Sequence, residues 1–229
     1  QDDGVEAFAQ AFEDLMTQVS AKASILQTGV LDRQDLALGI YGDVVQDTIS
    51  RLKENYFNSR LWNHDGSLWK DNSAVIVDIE NRLGWLDVQK TIDLDRLKAL
   101  RNDITGAGFK HVVLLGMGGS SLAPEVMARA FGQQPGFPAL LVLDNTHPTQ
   151  VQYIDETIDI NRTLFVVASK SGSTIETHTF FKYFYERAER NGAQFIAITD
   201  PGSSLQKLAE EQNFRDVFLN PADIGGRYS

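Results

Sequence analysis

Six consecutive residues, Ser169-Lys170-Ser171-Gly172-Ser173-Thr174, put four hydroxyls, one ammonium and a glycine into a single turn. They follow the apolar run Leu164-Phe165-Val166-Val167-Ala168 and precede a stretch with helical spacing. Hydroxyls, backbone N–H groups, a cation and a helix N-terminus are the parts that hold a phosphate dianion. A second stretch has the same form: Val112-Val113-Leu114-Leu115 runs into Gly116-Met117-Gly118-Gly119-Ser120-Ser121 and then into a helix. Its glycines permit a tight turn and a close approach of backbone to ligand. Each loop also has a plain alternative. Ser173 with Glu176 fits a capping box, and Ser120 or Ser121 fits an N-cap at a tight strand-to-helix turn. Capping accounts for one serine and one glutamate, not for four hydroxyls and a lysine, so the two loops are expected to hold one phosphoryl group together.

The elements that must position these loops follow from the periodicity. Short apolar runs at 111–116, 139–143, 163–168, 194–198 and 215–219 read as strands buried on both faces. Helical spacing at 121–131, 149–158, 174–190 and 203–212 alternates with them. This alternation predicts an α/β fold with a parallel sheet and right-handed crossovers. In a doubly wound sheet of order 2-1-3-4-5, the loops after strands 1 and 3 flank the switch point, where ligands bind. Those are the two polar loops.

Ahead of the sheet lies a helical N-terminal arm, 1–108, leaving 109–229 as the ligand-binding domain. An amphipathic stripe of Val5, Phe8, Phe12, Leu15, Met16 and Val19 predicts a helix over 1–24. Further helices are expected at about 35–57, 73–84 and from Leu94 to near Gly106. A turn-rich segment over 58–73 separates the first two, with Trp62 and Trp69 expected to anchor it to the core.

Composition narrows the function classes. The 229 residues carry a formal net charge of -10, which argues against a broad nucleic-acid surface but suits a small anion held in a local nest of N–H groups. With no cysteine, disulfides and thiolate metal sites are out. His64, His111, His147 and His178 have no metal-ligand spacing, so they point to no metal site. No apolar run approaches the roughly 20 residues of a membrane span. Gln1-Asp2-Asp3 does not open a signal peptide, which makes cytoplasm the default.

Three motifs carry a resemblance. Gly116-Met117-Gly118-Gly119-Ser120, Ser169 through Thr177, and Gly225-Gly226-Arg227-Tyr228-Ser229 occur in that order, and together they resemble the glucose-6-phosphate isomerase (phosphoglucose isomerase) family over roughly residues 35–229. The resemblance implies a sugar-isomerase (SIS) three-layer sandwich with a five-stranded parallel sheet. It implies interconversion of glucose 6-phosphate and fructose 6-phosphate through an enediol, in glycolysis and gluconeogenesis, with no metal and no organic cofactor needed. Carried over by motif, Gly119 and Ser120 meet the sugar phosphate from the first loop. Ser169, Lys170, Ser171 and Thr174 hold the phosphate, Arg227 steadies the enediolate, and Glu176 serves the start of its helix.

The family's catalytic glutamate, its ring-opening histidine and a further lysine follow the Gly-Gly-Arg-Tyr-Ser motif, beyond Ser229. The isolated chain is therefore expected to bind sugar phosphate weakly without isomerising it. A homodimer is implied for the full-length parent. Residues 3–16 also resemble the last helix of a bacterial transaldolase, as in fusions of that enzyme with this isomerase. Two alternatives stay open: a non-catalytic SIS module that senses a sugar phosphate, and a nucleotide-binding domain using Gly116 to Gly119 with Asp144.

Overall fold

The computed structural model describes Glu13, residues 16–20, Ala23 and residues 37–226. The described residues between 13 and 23 are helical; the rest of the expected front helix, and Arg227, lie outside the described residues. The chain divides into two compact units, Gln1–Asn55 and Tyr56–Ser229.

In the first unit a 3-10 turn, Gly39–Tyr41, leads into helix α1, Gly42–Glu54. The helix expected to run to 57 stops earlier because Tyr56 adopts a left-handed φ of 52°, which ends a right-handed helix. The second unit then opens with α2, Phe57–Trp62, inside the segment expected to be turns. Helix α3, Ser73–Glu80, a 3-10 stretch at Gly84–Lys90 and α4, Leu94–Gly106, precede the sheet.

The sheet matches the alternation expected from the sequence. Its strands are β1, His111–Gly116; β2, Ala139–Leu143; β3, Thr163–Ala168; β4, Phe195–Thr199; and β5, Asp216–Leu219. All neighbours are parallel, in the order β2-β1-β3-β4-β5. The intervening helices are α5, Gly119–Phe131; α6, Pro148–Thr157; α7, Ile175–Arg187; and α8, Ser204–Glu211.

Both faces of the sheet are covered, as in a three-layer sandwich. One face sends Val113, Leu115, Phe165, Val167 and Phe195 into a fully buried core with residues of α6, α7 and α8. Phe165 stacks between Phe184 and Phe195 at centroid distances of 5.0 and 4.9 Å. The alternate residues face the other way, where Val112, Val166 and Ile198 line a small apolar gap with Leu97, Leu100 and Ile104 of α4.

The tryptophans correct an expectation. Trp62 and Trp69 are 58% and 43% exposed and Trp85 is 37% exposed, so neither Trp62 nor Trp69 anchors the 58–73 segment. That segment is tied by polar groups instead. Arg60 pairs with Asp65 at 2.7 Å and donates to Ser67 at 2.8 Å, and the Asp65 carboxylate accepts from the Ser67 N–H at 3.0 Å. An apolar side chain signals the core only in one direction, since much of any folded surface is apolar.

Candidate phosphoryl-binding site

The site begins where β1 and β3 end. Gly116 and Ala168 are register partners on adjacent parallel strands, so the loops that follow leave the sheet next to each other. The end of β1 is closely surrounded. A Cβ at Gly116 would lie 3.3 Å from the Ala168 carbonyl oxygen and 3.3 Å from the Ser120 Cβ. Gly119 and Ser120 therefore sit in the first turn of α5 beside the start of the Ser169–Thr174 loop. The turn into α5 is made at Gly118, whose φ of 57° and ψ of -119° suit only glycine.

In the second loop the hydroxyls pair with each other. Ser169 Oγ lies 3.0 Å from Thr174 Oγ1, and Ser171 Oγ lies 3.0 Å from Ser173 Oγ. Each pair uses one hydroxyl hydrogen internally and leaves one to donate elsewhere. Ser169 is 3% exposed, and its N–H donates to the Ile198 carbonyl at 3.0 Å, which fixes the start of the loop to β4.

Gly172 is the hinge of the turn, with φ +68°. A Cβ there would lie 2.7 Å from the Ser203 Cβ and 2.9 Å from the Leu205 amide nitrogen. Its carbonyl accepts from His178 Nε2 at 2.6 Å and from the Ser204 hydroxyl. A carbonyl only accepts, so His178 carries its proton on Nε2.

Neither of the alternative caps forms. Thr174 is the N-cap of α7 and Gly118 the N-cap of α5, and neither helix start has a side-chain cap hydrogen bond. Ser173 turns to Ser171, and Ser121 donates back to the Gly118 carbonyl at 3.1 Å. In contrast α3, α4, α6 and α8 are capped by Asn72, Asp93, His147 and Ser203. The two helices that follow the polar loops thus keep first-turn N–H groups uncapped by side chains at the same sheet edge. That is the electrostatic environment an anion seeks. Glu176 lies in the first turn of α7.

Lys170 is held differently from a free cation. Its ammonium pairs with the Asp200 carboxylate, and its carbonyl accepts from the Asp200 N–H at 3.0 Å. Asn220 Nδ2 donates to the other Asp200 oxygen at 3.1 Å. Asp200 and Ser204 stand outside the sequence motifs, and His178 figures there only as a histidine without metal-ligand spacing. His178 had a signal, since it lies one helical turn beyond Thr174 and on its face. Asp200 had a weaker one, as the residue following a strand that ends at the same edge. Among the described residues no group of three or more His, Cys, Asp and Glu could hold a metal ion. No described helix is long and apolar enough to cross a membrane.

The parallel sheet of order 2-1-3-4-5, covered on both faces and with the two polar loops at its switch point, agrees with a sandwich of the sugar-isomerase (SIS) type. The family model for phosphoglucose isomerase matches residues 63–229, and the chain belongs to that family. The glucose-6-phosphate isomerase of Campylobacter jejuni is 34% identical over 125 residues, covering 52% of this chain and 30% of the relative. The glucose-6-phosphate isomerase of Methanocaldococcus jannaschii is 31% identical over 150 residues, covering 64% of this chain and 35% of the relative. The chain thus spans about a third of the length of these curated relatives.

Among solved structures, the hypothetical protein TT0462 from Thermus thermophilus superposes with a TM-score of 0.62 at 25% identity, covering 80% of this chain and 43% of that one. A glucose-6-phosphate isomerase from Chlamydia trachomatis shares the fold, with a TM-score of 0.52 at 23% identity, over 74% of this chain and 32% of that one.

Proposed function

We propose that residues 109–229 grip the phosphoryl group of a hexose 6-phosphate, as the substrate-binding N-terminal part of an enzyme interconverting glucose 6-phosphate and fructose 6-phosphate. The parent reaction is an aldose–ketose proton transfer by general acid–base catalysis through an enediol. The observation that carries this proposal is the pair of uncapped helix starts flanking the Ser169–Thr174 hydroxyls at the ends of two adjacent strands. Gly119, Ser120, Ser169, Lys170, Ser171 and Thr174 are assigned to the sugar phosphate, and Arg227, by its motif alone, to the enediolate. The parent is proposed to act as a homodimer, and residues 1–24 to derive from a transaldolase junction on their sequence likeness.

Calorimetric titration of the 229-residue polypeptide tests this proposal. Fructose 6-phosphate and inorganic phosphate should bind, NAD should not, and Ser169→Ala should weaken both phosphorylated ligands. Stabilisation by NAD alone would overturn the assignment.

A further inference from the structure

Beside the phosphoryl loop lies a cleft of about 230 Å³, lined by Asp78, Asn81 and Arg82 from the end of α3, by Lys170, and by the 222–226 segment including Gly225 and Gly226. At about 30 Å³ per water it holds the equivalent of seven or eight waters. Its walls are held in place by backbone contacts. Leu83 and Ile224 form an antiparallel bridge, and the Gly84 N–H donates to the Asp223 carbonyl at 2.9 Å. The Asp223 carboxyl lies so close over Gly84 that a Cβ there would meet its Cγ at 2.3 Å. Gly225 in turn lies against the stem of Arg82, whose Cβ would be 3.4 Å from an added Cβ.

Two charged side chains on this wall have no evident structural purpose. Arg82 Nη2 meets Asp78 Oδ1 at 3.1 Å across one helical turn, with the side chains 61% and 66% exposed. Pairs this exposed contribute little to stability. The guanidinium has donors in excess of this one contact, and the carboxylate has acceptor sites to spare. A donor-rich and an acceptor-rich group side by side suit a chain of hydroxyls, each of which both donates and accepts. Lys170 is common to this cleft and to the Ser169–Thr174 loop, so a ligand held there by its phosphoryl group has this cleft next to it.

Building on the phosphoryl-binding assignment above, we propose that Arg82 and Asp78 form a subsite for the hydroxyl-bearing carbon chain of the sugar phosphate. Arg82 donates to its hydroxyl oxygens and Asp78 accepts from its hydroxyl hydrogens. The two residues recognise the sugar, while Ser169–Thr174 recognise the phosphate.

Titrations of the 229-residue chain with fructose 6-phosphate and with inorganic phosphate separate the two roles. Arg82→Ala should raise the Kd for fructose 6-phosphate about tenfold, the order expected for losing hydrogen bonds to a charged group. It should leave inorganic phosphate within about twofold and the ligand-free Tm unchanged. Asp78→Ala should act in the same direction, and Arg82→Lys should recover part of the loss. Ser169→Ala, by contrast, should weaken both ligands. Unchanged fructose 6-phosphate affinity in Arg82→Ala, or equal weakening of both ligands, would overturn the subsite and leave the phosphoryl site standing. If the unsubstituted chain binds phosphate but not fructose 6-phosphate, the subsite alone fails. If it binds neither, the phosphoryl-binding assignment fails and the subsite with it.

Discussion

Gly116 and Ala168 face each other across the last rung of the β1–β3 ladder, and a methyl group on Gly116 would press on the Ala168 carbonyl at 3.3 Å. This contact converts a sheet topology into a site. Parallel neighbours end at the same edge, and the absence of a side chain at 116 lets the first turn of α5, at Ser120, lie close over the end of β1. The phosphoryl ligand proposed here needs both loops within reach of one group, and β1 next to β3 supplies that without a long excursion of either chain segment.

The turn at Gly172 should be the most sensitive position in the loop. Gly172→Ala meets a left-handed φ of +68° and a contact of 2.7 Å to Ser203. Ser203 cannot retreat easily, because its hydroxyl caps α8 through the Gln206 N–H at 3.0 Å and pairs with Thr199 at 2.7 Å. The combined strain and overpacking should destabilise the chain by about 2–4 kcal/mol. Phosphate affinity should fall at least tenfold, because the hydroxyl pairs on either side of residue 172 lose their register. Chemical denaturation and phosphate titration of the same variant check both; near-normal values for both would show that the loop adapts.

Five strands were legible in the sequence because buried parallel strands are continuous apolar runs and leave nothing to phase, whereas their order came from the doubly wound pattern taken as a template, which the sheet matches. The helical N-terminal region was less legible. A backbone reversal at Tyr56 is not written in its residue type, since tyrosine has no preference for φ of 52°. The loop chemistry was visible as residue types, but its wiring was not. That Lys170 would be tied to Asp200, thirty residues on, depends on β3 and β4 lying next to each other. Local spacing also fitted a capping box at Ser173 and Glu176 and an N-cap at Ser120 or Ser121, and the structure leaves the helix starts at Gly118 and Thr174 without side-chain caps.

The Lys170–Asp200 pair sets the electrostatics of the loop. Asp200 competes with any phosphate for the ammonium. Asp200→Asn removes that charge while keeping an oxygen near Asn220. It should tighten inorganic phosphate binding severalfold, consistent with about 1 kcal/mol for one charge in a partly exposed site. The gain should shrink as salt is raised through the physiological range. Lys170→Ala should have the opposite sign. Equal phosphate affinity in Asp200→Asn and the unsubstituted chain, at low salt, would place Lys170 outside the anion site.

The phenylalanine stack tests the core that carries the loops. Phe165 is fully buried between Phe184 and Phe195, so Phe165→Ala removes a large side chain where rigid rings and strands restrict collapse. A loss of about 3–5 kcal/mol is expected, with Tm falling on the order of 10 °C for a chain of this size. Phe165→Leu should cost much less, because it conserves most of the volume. Calorimetry would show a mispacked sheet if the two variants fell equally.

Strong acid should loosen the polar frame between α2 and α4. Hydrogen bonds from Ser67 and Arg60 hold the Asp65 carboxyl below its ordinary range, and the Lys90 ammonium does the same to Asp87, with His64 adding to it. A carboxylate with a lowered folded pKa contributes stability that is fully present above the ordinary aspartate range and is lost as pH falls through the lowered value. The loss should therefore come in acid, below the usual titration of free aspartate, and not near neutrality. Both carboxylates are solvent-exposed, so the effect should be small and local. The chain has three tryptophans, and Trp62, Trp69 and Trp85 all lie within this frame, so intrinsic fluorescence reports on it directly. The fluorescence change tied to these two carboxylates should fall below the ordinary titration range of free aspartate. Asp65→Asn with Asp87→Asn should flatten that change; an acid profile that ignores both substitutions would assign it to other carboxylates.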